Sequence, residues 1–237
     1  MSRLPKAILI TAGTKRLGFH FAQASLAMGY SVVLHFRSSN RTARQWVQHH
    51  PEYNGKVFYL QQDLTEQPQS LIQRVRELPC RLTGLVNNAS LFSRGDLFNQ
   101  THLRSMLEIH FFTPAQLGAC FAEQISNGWI INITDALACR SNTSWQNYRM
   151  SKLFLEELTR QQAIRFAPDC RVNAIAPGAV LPSKDTKGAS FRNLAANIPL
   201  RKTSSVAAIT EAFRFLVTNT SCTGQIIRID GGWHLTA

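Results

Sequence analysis

The chain has 237 residues, of which 44% are hydrophobic, and a formal net charge of +12 at neutral pH. This length suits one α/β domain with a large core, so a single domain is expected over residues 1–237. The positive net charge would suit nucleic acid or an anionic small molecule as a partner. Because the basic residues are scattered, with no run of five and no interleaved aromatics, nucleic acid is not the expected partner.

The cysteines and apolar segments predict a compartment. The chain has five cysteines and no C-x-x-C pair, so reduced thiols in the cytoplasm are expected, with neither a disulfide framework nor a bound metal ion. No apolar run approaches the roughly 20 residues that a membrane helix needs. The start, MSRLPKAILIT, has too short an apolar segment for a signal peptide. No membrane partner is therefore expected.

The first half of the chain alternates predicted strands and helices. An apolar run at residues 7–11 predicts a buried parallel strand, followed by the turn TAGTKRLG and an amphipathic helix over 17–28. Backbone N–H groups at the start of such a helix can hold a pyrophosphate, although an ordinary strand–helix turn remains the alternative. Strands are also predicted at 31–36, 56–61 and 84–87, and a helix at 65–77.

The second half continues the same alternation. Predicted helices cover 101–127, 145–165 and 204–218, and predicted strands cover 129–134, 171–175 and 224–230. The long polar connection at 179–198 predicts a lid, because connections of this length are uncommon unless functional. About seven strands with interleaved helices predict a Rossmann-like, doubly wound parallel sheet with helices on both faces.

Three polar residues form a candidate catalytic group. Tyr148 and Lys152 are four residues apart in a predicted helix and therefore share one face. An ammonium group beside a phenol favours phenolate, so the pKa of Tyr148 is expected to fall toward the working pH. Asp135 lies thirteen residues earlier, at the carboxyl end of a predicted strand, where open α/β sheets bind ligands. Alone, the pair would be better explained as a surface tyrosine beside a solvated lysine; its position after a strand, in a chain with a nucleotide-binding start, favours the catalytic interpretation.

The end of the second predicted strand indicates the cofactor. An acidic residue about 20 positions after a glycine-rich turn would bind the ribose hydroxyls of NAD. Here Arg37 occupies that place, with Ser38 and Ser39 after it and Arg16 nearby. A guanidinium group suits the 2′-phosphate of NADP, so NADPH is the expected cofactor. The alternative for Arg37 is a solvated charge at a strand end.

These patterns resemble the short-chain dehydrogenase/reductase family, whose hallmark is a Ser, a Tyr and a Lys in this arrangement. Asp135 stands where the family usually has Ser, which is similar to the pteridine reductase branch. The family's T-G-x-x-x-G-x-G is matched at Thr11 and Gly18, but Ala12 and Arg16 replace its first two glycines. Gly13 is then expected to supply the flexibility. A T-G-x-x-x-x-x-D-G-G ending extends the resemblance over nearly the whole chain.

The resemblance implies a set of cofactor contacts. In the family an Asp after the third strand meets the adenine, the N-N-A-S motif supports the cofactor, and a Pro-Gly pair lies near the nicotinamide. The alternative for Asp63 is a helix N-cap. The implied cofactor-binding residues are Thr11, Gly13, Arg16, Leu17, Gly18, Arg37, Ser38, Ser39, Asp63, Leu64, Asn88, Ala89, Lys152, Pro177 and Gly178.

The resemblance also implies the substrate site and a homotetramer. The implied substrate-binding residues are Ser90, Phe92, Asp135 and Tyr148, and the implied catalytic residues are Asp135, Tyr148 and Lys152. In the pteridine branch the aromatic at Phe92 lies over the pterin; the alternative is a loop anchor. His110 stands where most of the family has an Asn that helps to hold a water beside the catalytic lysine. It is expected either to relay protons or to pack in the core.

The expected function is reduction of a dihydropterin, such as dihydromonapterin, or of dihydrofolate. NADPH would deliver hydride to a ring carbon and Tyr148 a proton to the adjacent nitrogen. An ionised Asp135 cannot donate to a ketone oxygen but can accept from the N–H groups of a pterin. The alternatives are a carbonyl reductase of the 3-oxoacyl thioester type, in which Asp135 replaces Ser without a new role, and a non-catalytic NADP-binding protein.

Overall fold

The computed structural model describes residues 4–140, 144–182 and 188–236. Seven parallel strands form one sheet in the order β3-β2-β1-β4-β5-β6-β7. The strands are β1 (Lys6–Ile10), β2 (Ser31–Phe36), β3 (Val57–Gln61), β4 (Arg81–Asn87), β5 (Gly128–Ile133), β6 (Cys170–Pro177) and β7 (Ile226–Ile229). The predicted doubly wound, Rossmann-like sheet is confirmed.

Helices cover both faces of the sheet. They are α1 (Arg16–Ala27), α2 (Arg41–Gln48), α3 (Gln69–Arg76), α4 (Gln100–Leu107), α5 (Thr113–Gln124), α6 (Gln146–Arg165), α7 (Gly188–Asn193) and α8 (Val206–Thr218). Alternate residues of β1 enter different cores, since a strand points successive side chains to opposite faces. Ile8 packs in the same core as Phe21 of α1 and Phe213 of α8. Leu9 packs in the opposite core, with Phe121 of α5.

Three predicted elements differ from the structure. The helix expected at 65–77 begins only at Gln69, after Pro68. The helix expected at 101–127 consists of α4, a π-helical segment (Glu108–Phe112) and α5. Of the predicted lid, residues 183–187 lie outside the described residues, and the rest contains α7 and a 3-10 helix (Leu194–Asn197). Helix α2 was not predicted: it has only eight residues and buries only Ala43 fully, although its Trp46 packs against the core.

Thr11 lies between β1 and β4, where the order in which the chain adds strands to the sheet changes direction. Its backbone N–H donates to the carbonyl of Val86 at 3.0 Å. Its hydroxyl oxygen accepts the N–H groups of Asn88 and Ala89 at 2.8 and 2.9 Å. Open α/β sheets bind ligands in the crevice at this reversal. Thr11 therefore joins the β1–α1 turn to the β4 loop where a ligand is expected.

The β1–α1 turn obtains its left-handed conformation without glycine. Ala12 and Arg16 have φ angles of 49° and 51°, whereas Gly13 is not left-handed. The expectation that Gly13 supplies the flexibility is therefore wrong: the residues that replace the family glycines adopt the left-handed conformation themselves. This costs a non-glycine residue about 1–2 kcal/mol, so the surrounding contacts must hold it. Gly18 is needed for close approach, because a Cβ there would lie 2.5 Å from the carbonyl oxygen of Ala12.

Candidate active site

Asp135 and Tyr148 are in direct contact at the carboxyl edge of the sheet. Asp135 follows β5, and its Oδ1 accepts the N–H of Leu137 at 2.8 Å, which caps a 3-10 helix (Ala136–Cys139). Its Oδ2 accepts the phenol O–H of Tyr148, on the first turn of α6, at 2.9 Å. Both oxygens of the carboxyl group therefore act as acceptors, the pattern of an ionised carboxylate.

The same contact sets the protonation state of the phenol. Burial raises the pKa of Tyr148 well above its ordinary value, and the negative charge and hydrogen bond of Asp135 raise this pKa further. The expectation that this pKa falls is therefore wrong: the carboxylate disfavours the phenolate. Burial also raises the pKa of Asp135, opposed by its bonds to Leu137 and Tyr148. At neutral pH Tyr148 is a protonated phenol, the form that can give up a proton.

Lys152 shares the helix face of Tyr148, as predicted, but its ammonium group bonds elsewhere. Nζ donates to the carbonyl of Ile133 at 2.9 Å and lies 5.7 Å from the centroid of the Tyr148 ring. The side chain is buried, and this desolvation lowers the pKa of Lys152 to about 8, against an opposing effect of Asp135. The lysine thus remains mainly charged at neutral pH, one helical turn from the phenol.

Phe92 belongs to an aromatic group around the phenol. Phe92 is 50% exposed, and its ring stacks on Trp145 with centroids 4.2 Å apart and an interplanar angle of 18°. Its other neighbour is Tyr148, met edge-on at 4.9 Å and 87°. Phe92 is therefore half exposed and is not packed in the core. It offers an accessible apolar surface beside the phenol, and a flat ring system could bind there.

Two residues of the site were missed in the sequence. Trp145 lies three positions before Tyr148, one helical turn away, and this spacing could have identified it. Arg149 donates from Nε to the carbonyl of Leu137 at 2.9 Å and from Nη2 to that of Ala138 at 3.2 Å. Arg149 thereby holds the 3-10 helix that presents Asp135. No pattern in the sequence pointed to this contact, because it depends on how α6 packs against the segment after β5.

His110 connects the loop after β4 to α6. It is buried in the π-helical segment, and Nε2 accepts the N–H of Leu91 at 3.3 Å, with Ser90 Oγ at 2.8 Å. Nδ1 therefore carries the proton and donates to Ser151 Oγ at 2.8 Å. Burial, followed by the charge of Lys152, lowers the pKa of His110 well below its ordinary value. Within the described residues no hydrogen bond joins His110 to Lys152, so the direct relay has no support.

The predicted phosphate-binding residues lie around the start of α1. Arg37, Ser38 and Ser39 are exposed after β2, and the hydroxyl of Thr14 donates to the carbonyl of Ser39 at 2.8 Å. Arg16 is directed toward the predicted lid, where Nη2 donates to the carbonyl of Leu181 at 3.3 Å. The first turn of α1 has no acidic residue. A free helix start with basic side chains nearby fits an anionic nucleotide.

Other predicted cofactor residues occupy the same edge. Asp63 accepts the N–H and hydroxyl of Thr65 at 3.0 and 2.8 Å, and these bonds lower the pKa of Asp63. It therefore closes a turn and does not cap α3, whose N-cap is Pro68. Four further predicted cofactor residues are also placed by the structure. Leu17 is half-buried and Leu64 is buried in the core. Pro177 ends β6, and the N–H of Gly178 donates to the carbonyl of Ile229 at 2.9 Å.

We also searched the described part of the chain for membrane-spanning helices, metal sites and disulfide bonds. None of its helices is long and apolar enough to cross a membrane. Within the same ranges, no three His, Cys, Asp or Glu side chains are placed to hold a metal ion. The five cysteines are free thiols.

The chain is similar to proteins of one family. The short chain dehydrogenase model matches residues 6–191. Dihydromonapterin reductases from Citrobacter koseri and an Escherichia coli strain are 28% and 27% identical, each over 98% of both chains. The FolM alternative dihydrofolate reductase 1 of Brucella suis, solved in complex with NADP, has a TM-score of 0.92 at 28% identity and covers 98% of this chain and 96% of its own. The Brucella canis enzyme, also with NADP, has a TM-score of 0.92 at 27% identity, over 100% and 98%.

The buried ammonium group of Lys152 makes a prediction about stability. Its pKa of about 8 lies below the value of roughly 10.4 in an unfolded chain, so at pH 7 the folded state holds this proton at a cost. Lys152→Met removes the charge and should raise the free energy of unfolding at pH 7, by up to about 3 kcal/mol. Since the unfolded chain binds more protons between the two pKa values, this advantage should shrink as the pH rises from 8 toward 10.4.

The measurement is urea unfolding of both proteins at pH 7, 8, 9 and 10. Lys152→Gln is the matched control, because it also lacks the charge and should follow the same pH trend whatever its packing. A difference between Lys152→Met and the natural chain that stays constant with pH would contradict the lowered pKa.

Proposed function

Because this chain belongs to the short-chain dehydrogenase family, we propose that it is an NADPH-dependent reductase of pteridines. Its substrate is a dihydropterin, such as dihydromonapterin, or dihydrofolate. The similarity to dihydromonapterin reductases and to NADP-bound FolM enzymes over nearly the whole chain supports this activity. The whole chain serves as one NADP-binding domain, with Asp135, Tyr148 and Lys152 as its catalytic residues.

The observation that carries the proposal is the state of Asp135. Its two oxygens accept hydrogen bonds from the backbone of Leu137 and from the phenol of Tyr148. A carboxylate in this state cannot donate to a carbonyl oxygen, as a serine hydroxyl can, but it can accept from ring N–H and amino groups. This favours a nitrogen heterocycle over a ketone. Phe92, which is half exposed beside Tyr148, supplies an apolar surface for a flat ring.

The three catalytic residues divide the proton chemistry. NADPH, when bound, would supply the hydride. Tyr148 holds a proton on its phenol oxygen and gives it to the ring nitrogen next to the carbon that receives the hydride. Asp135 orients that phenol and keeps it protonated until substrate binds. The charged Lys152, one helical turn away, stabilises the phenolate left behind.

The basic groups around α1 hold the cofactor. Arg37 follows β2 where an acidic residue would favour NAD, and with Ser38 and Ser39 it would bind the 2′-phosphate of NADP. The start of α1 would receive the pyrophosphate, and Asp63 would meet the adenine. Arg16, which donates to the carbonyl of Leu181 at 3.3 Å, would add a further positive charge near the phosphates.

We further propose a homotetramer in the cytoplasm. Free thiols at all five cysteines suit a reducing compartment. An apolar face, formed by Phe112, Met150, Leu153 and Phe154, is between 36% and 46% exposed. The ring of Phe154 contacts Phe111 at 5.6 Å, so this surface is continuous across α6 and the π-helical segment. Such a face is typical of contact between copies of a chain.

The role of Asp135 predicts a specific loss. Asp135→Ser should leave a folded, NADPH-binding protein whose kcat/KM for dihydropterins falls by about 10²–10⁴-fold, as expected for a group in proton transfer. Tyr148→Phe is the companion variant and should lose most turnover while NADPH still binds, because the phenol acts only in the proton step. The assay follows NADPH oxidation with dihydromonapterin, dihydrobiopterin, dihydrofolate and acetoacetyl-CoA in parallel. Gain of acetoacetyl-CoA reduction by Asp135→Ser, with no pterin activity in either protein, would establish the carbonyl alternative.

The role of Arg37 predicts the cofactor preference. The unmodified protein should bind NADPH more tightly than NADH, and Arg37→Asp should abolish or reverse this preference. Loss of one charge-assisted contact costs roughly 1.5–3 kcal/mol, about 10- to 100-fold in affinity. Fluorescence titration with both cofactors measures the effect, and Arg214→Asp, at an exposed arginine on α8, controls for net charge. Equal affinities in the unmodified protein would remove the basis for this role.

The apolar face predicts the assembly. Light scattering should give four times the chain mass for the unmodified protein, and Phe154→Glu should lower it, because a carboxylate is costly to bury in an apolar contact. Phe98→Glu is the matched control, since Phe98 is 94% exposed and lies outside the apolar face, in the loop before α4. A monomeric mass for the unmodified protein would rule out the tetramer.

A further inference from the structure

His35 lies between the two loops that form the proposed nucleotide site. It is the fifth residue of β2, and its side chain is only 3% exposed. Nδ1 accepts the N–H of Ala12, in the β1–α1 turn, at 3.1 Å. Nε2 lies 2.9 Å from the carbonyl oxygen of Gln62, just after β3 and immediately before Asp63. The imidazole therefore bridges the phosphate side and the adenine side of the site.

The two partners determine the form of the ring. A backbone N–H only donates and a carbonyl only accepts, so the ring is neutral with its proton on Nε2. Burial lowers the pKa of His35, while among the charged groups near the ring Asp63 raises it and Arg74 lowers it. A proton on Nδ1 would face the N–H of Ala12, donor against donor. The bridge therefore exists only with the neutral ring.

His35 also holds the strained part of the turn. Ala12 is left-handed, with a φ of 49°, and such a residue keeps this conformation only where its surroundings fix it. The imidazole fixes the N–H of Ala12, and the His35 carbonyl accepts the next N–H, that of Gly13, at 2.9 Å. On the other side Asn88 Nδ2 donates to the carbonyl of Ala12 at 3.3 Å. Of these contacts, only the imidazole also reaches the loop of Asp63.

We propose that His35 is a positioning residue for the cofactor. Its neutral imidazole holds the β1–α1 turn in the conformation that receives the phosphates, and it fixes that turn relative to the loop of Asp63. His35 therefore determines NADPH affinity without touching the reacting atoms. The inference rests on the proposed function only for the identity of the nucleotide.

The first test separates cofactor binding from turnover. His35→Leu should weaken NADPH binding about tenfold or more, the effect expected when a buried hydrogen bond that shapes a site is lost. At saturating NADPH its kcat should stay within about twofold of the unmodified value, since the reacting residues are untouched. His35→Asn, which keeps an acceptor near the Nδ1 position, should recover part of the affinity. His49→Leu is the matched control, because His49 is exposed and its ring bonds only within α2, so both constants should be unchanged.

The second test asks whether the effect passes through Ala12. A glycine adopts the left-handed conformation without strain, so in an Ala12→Gly background the loss caused by His35→Leu should be clearly smaller. This non-additivity is the signature of the proposed contact. Fluorescence titration of NADPH across the four proteins measures it, and thermal unfolding checks that each is folded. Unchanged NADPH affinity in a folded His35→Leu, or equal losses in both backgrounds, would overturn the proposal. If His35→Leu does not fold, the same comparison with His35→Asn decides it. Failure of pterin reduction in the unmodified protein would reject the proposed function but leave this result intact.

Discussion

The contact between the Asp135 carboxylate and the Tyr148 phenol is the constraint on which the site depends. Strand β5 brings the carboxylate to the carboxyl edge of the sheet, and the first turn of α6 brings the phenol, with 2.9 Å between the two oxygens. The backbone of Leu137 satisfies the other carboxylate oxygen. Because the carboxylate accepts on both sides, it favours a substrate that donates hydrogen bonds. In the proposed mechanism, the preference for such a substrate follows from Asp135 standing where the family usually has Ser.

The site is built from polar groups that are costly to bury. Lys152 and Tyr148 are both almost inaccessible, and burial shifts their pKa values in opposite directions, down for the ammonium and up for the phenol. Perturbed pKa values of this kind cluster at functional sites. The β1–α1 turn has a similar character, because Ala12 and Arg16 hold a conformation that glycine would adopt more easily. We expect these residues to lower the free energy of unfolding of the whole protein, a cost that is usual where a site must be preorganised.

Much of the fold could be predicted from the sequence. The strands are nearly continuous apolar runs because both faces of the parallel sheet are covered, so residues 7–11 and 129–134 identified their strands. Asp135, Tyr148 and Lys152 could be identified together because the numbers of residues that separate them are visible in the sequence itself. The π-helical segment at His110 and the late start of α3 were not predictable from periodicity. The pKa of Tyr148 was misjudged because the sequence gives the distance to Lys152 along a helix but not the contact with Asp135 across space.

The most direct measurement of the central claim is a crystal structure of the protein with NADP+ and a dihydropterin. The account predicts the pterin ring stacked on Phe92, an N–H or amino group within hydrogen-bond distance of Asp135, and the Tyr148 oxygen next to the ring nitrogen that is protonated. A pterin bound away from Asp135, with the carboxylate still engaged only by Leu137 and Tyr148, would contradict the assignment of Asp135 as the group that selects the substrate.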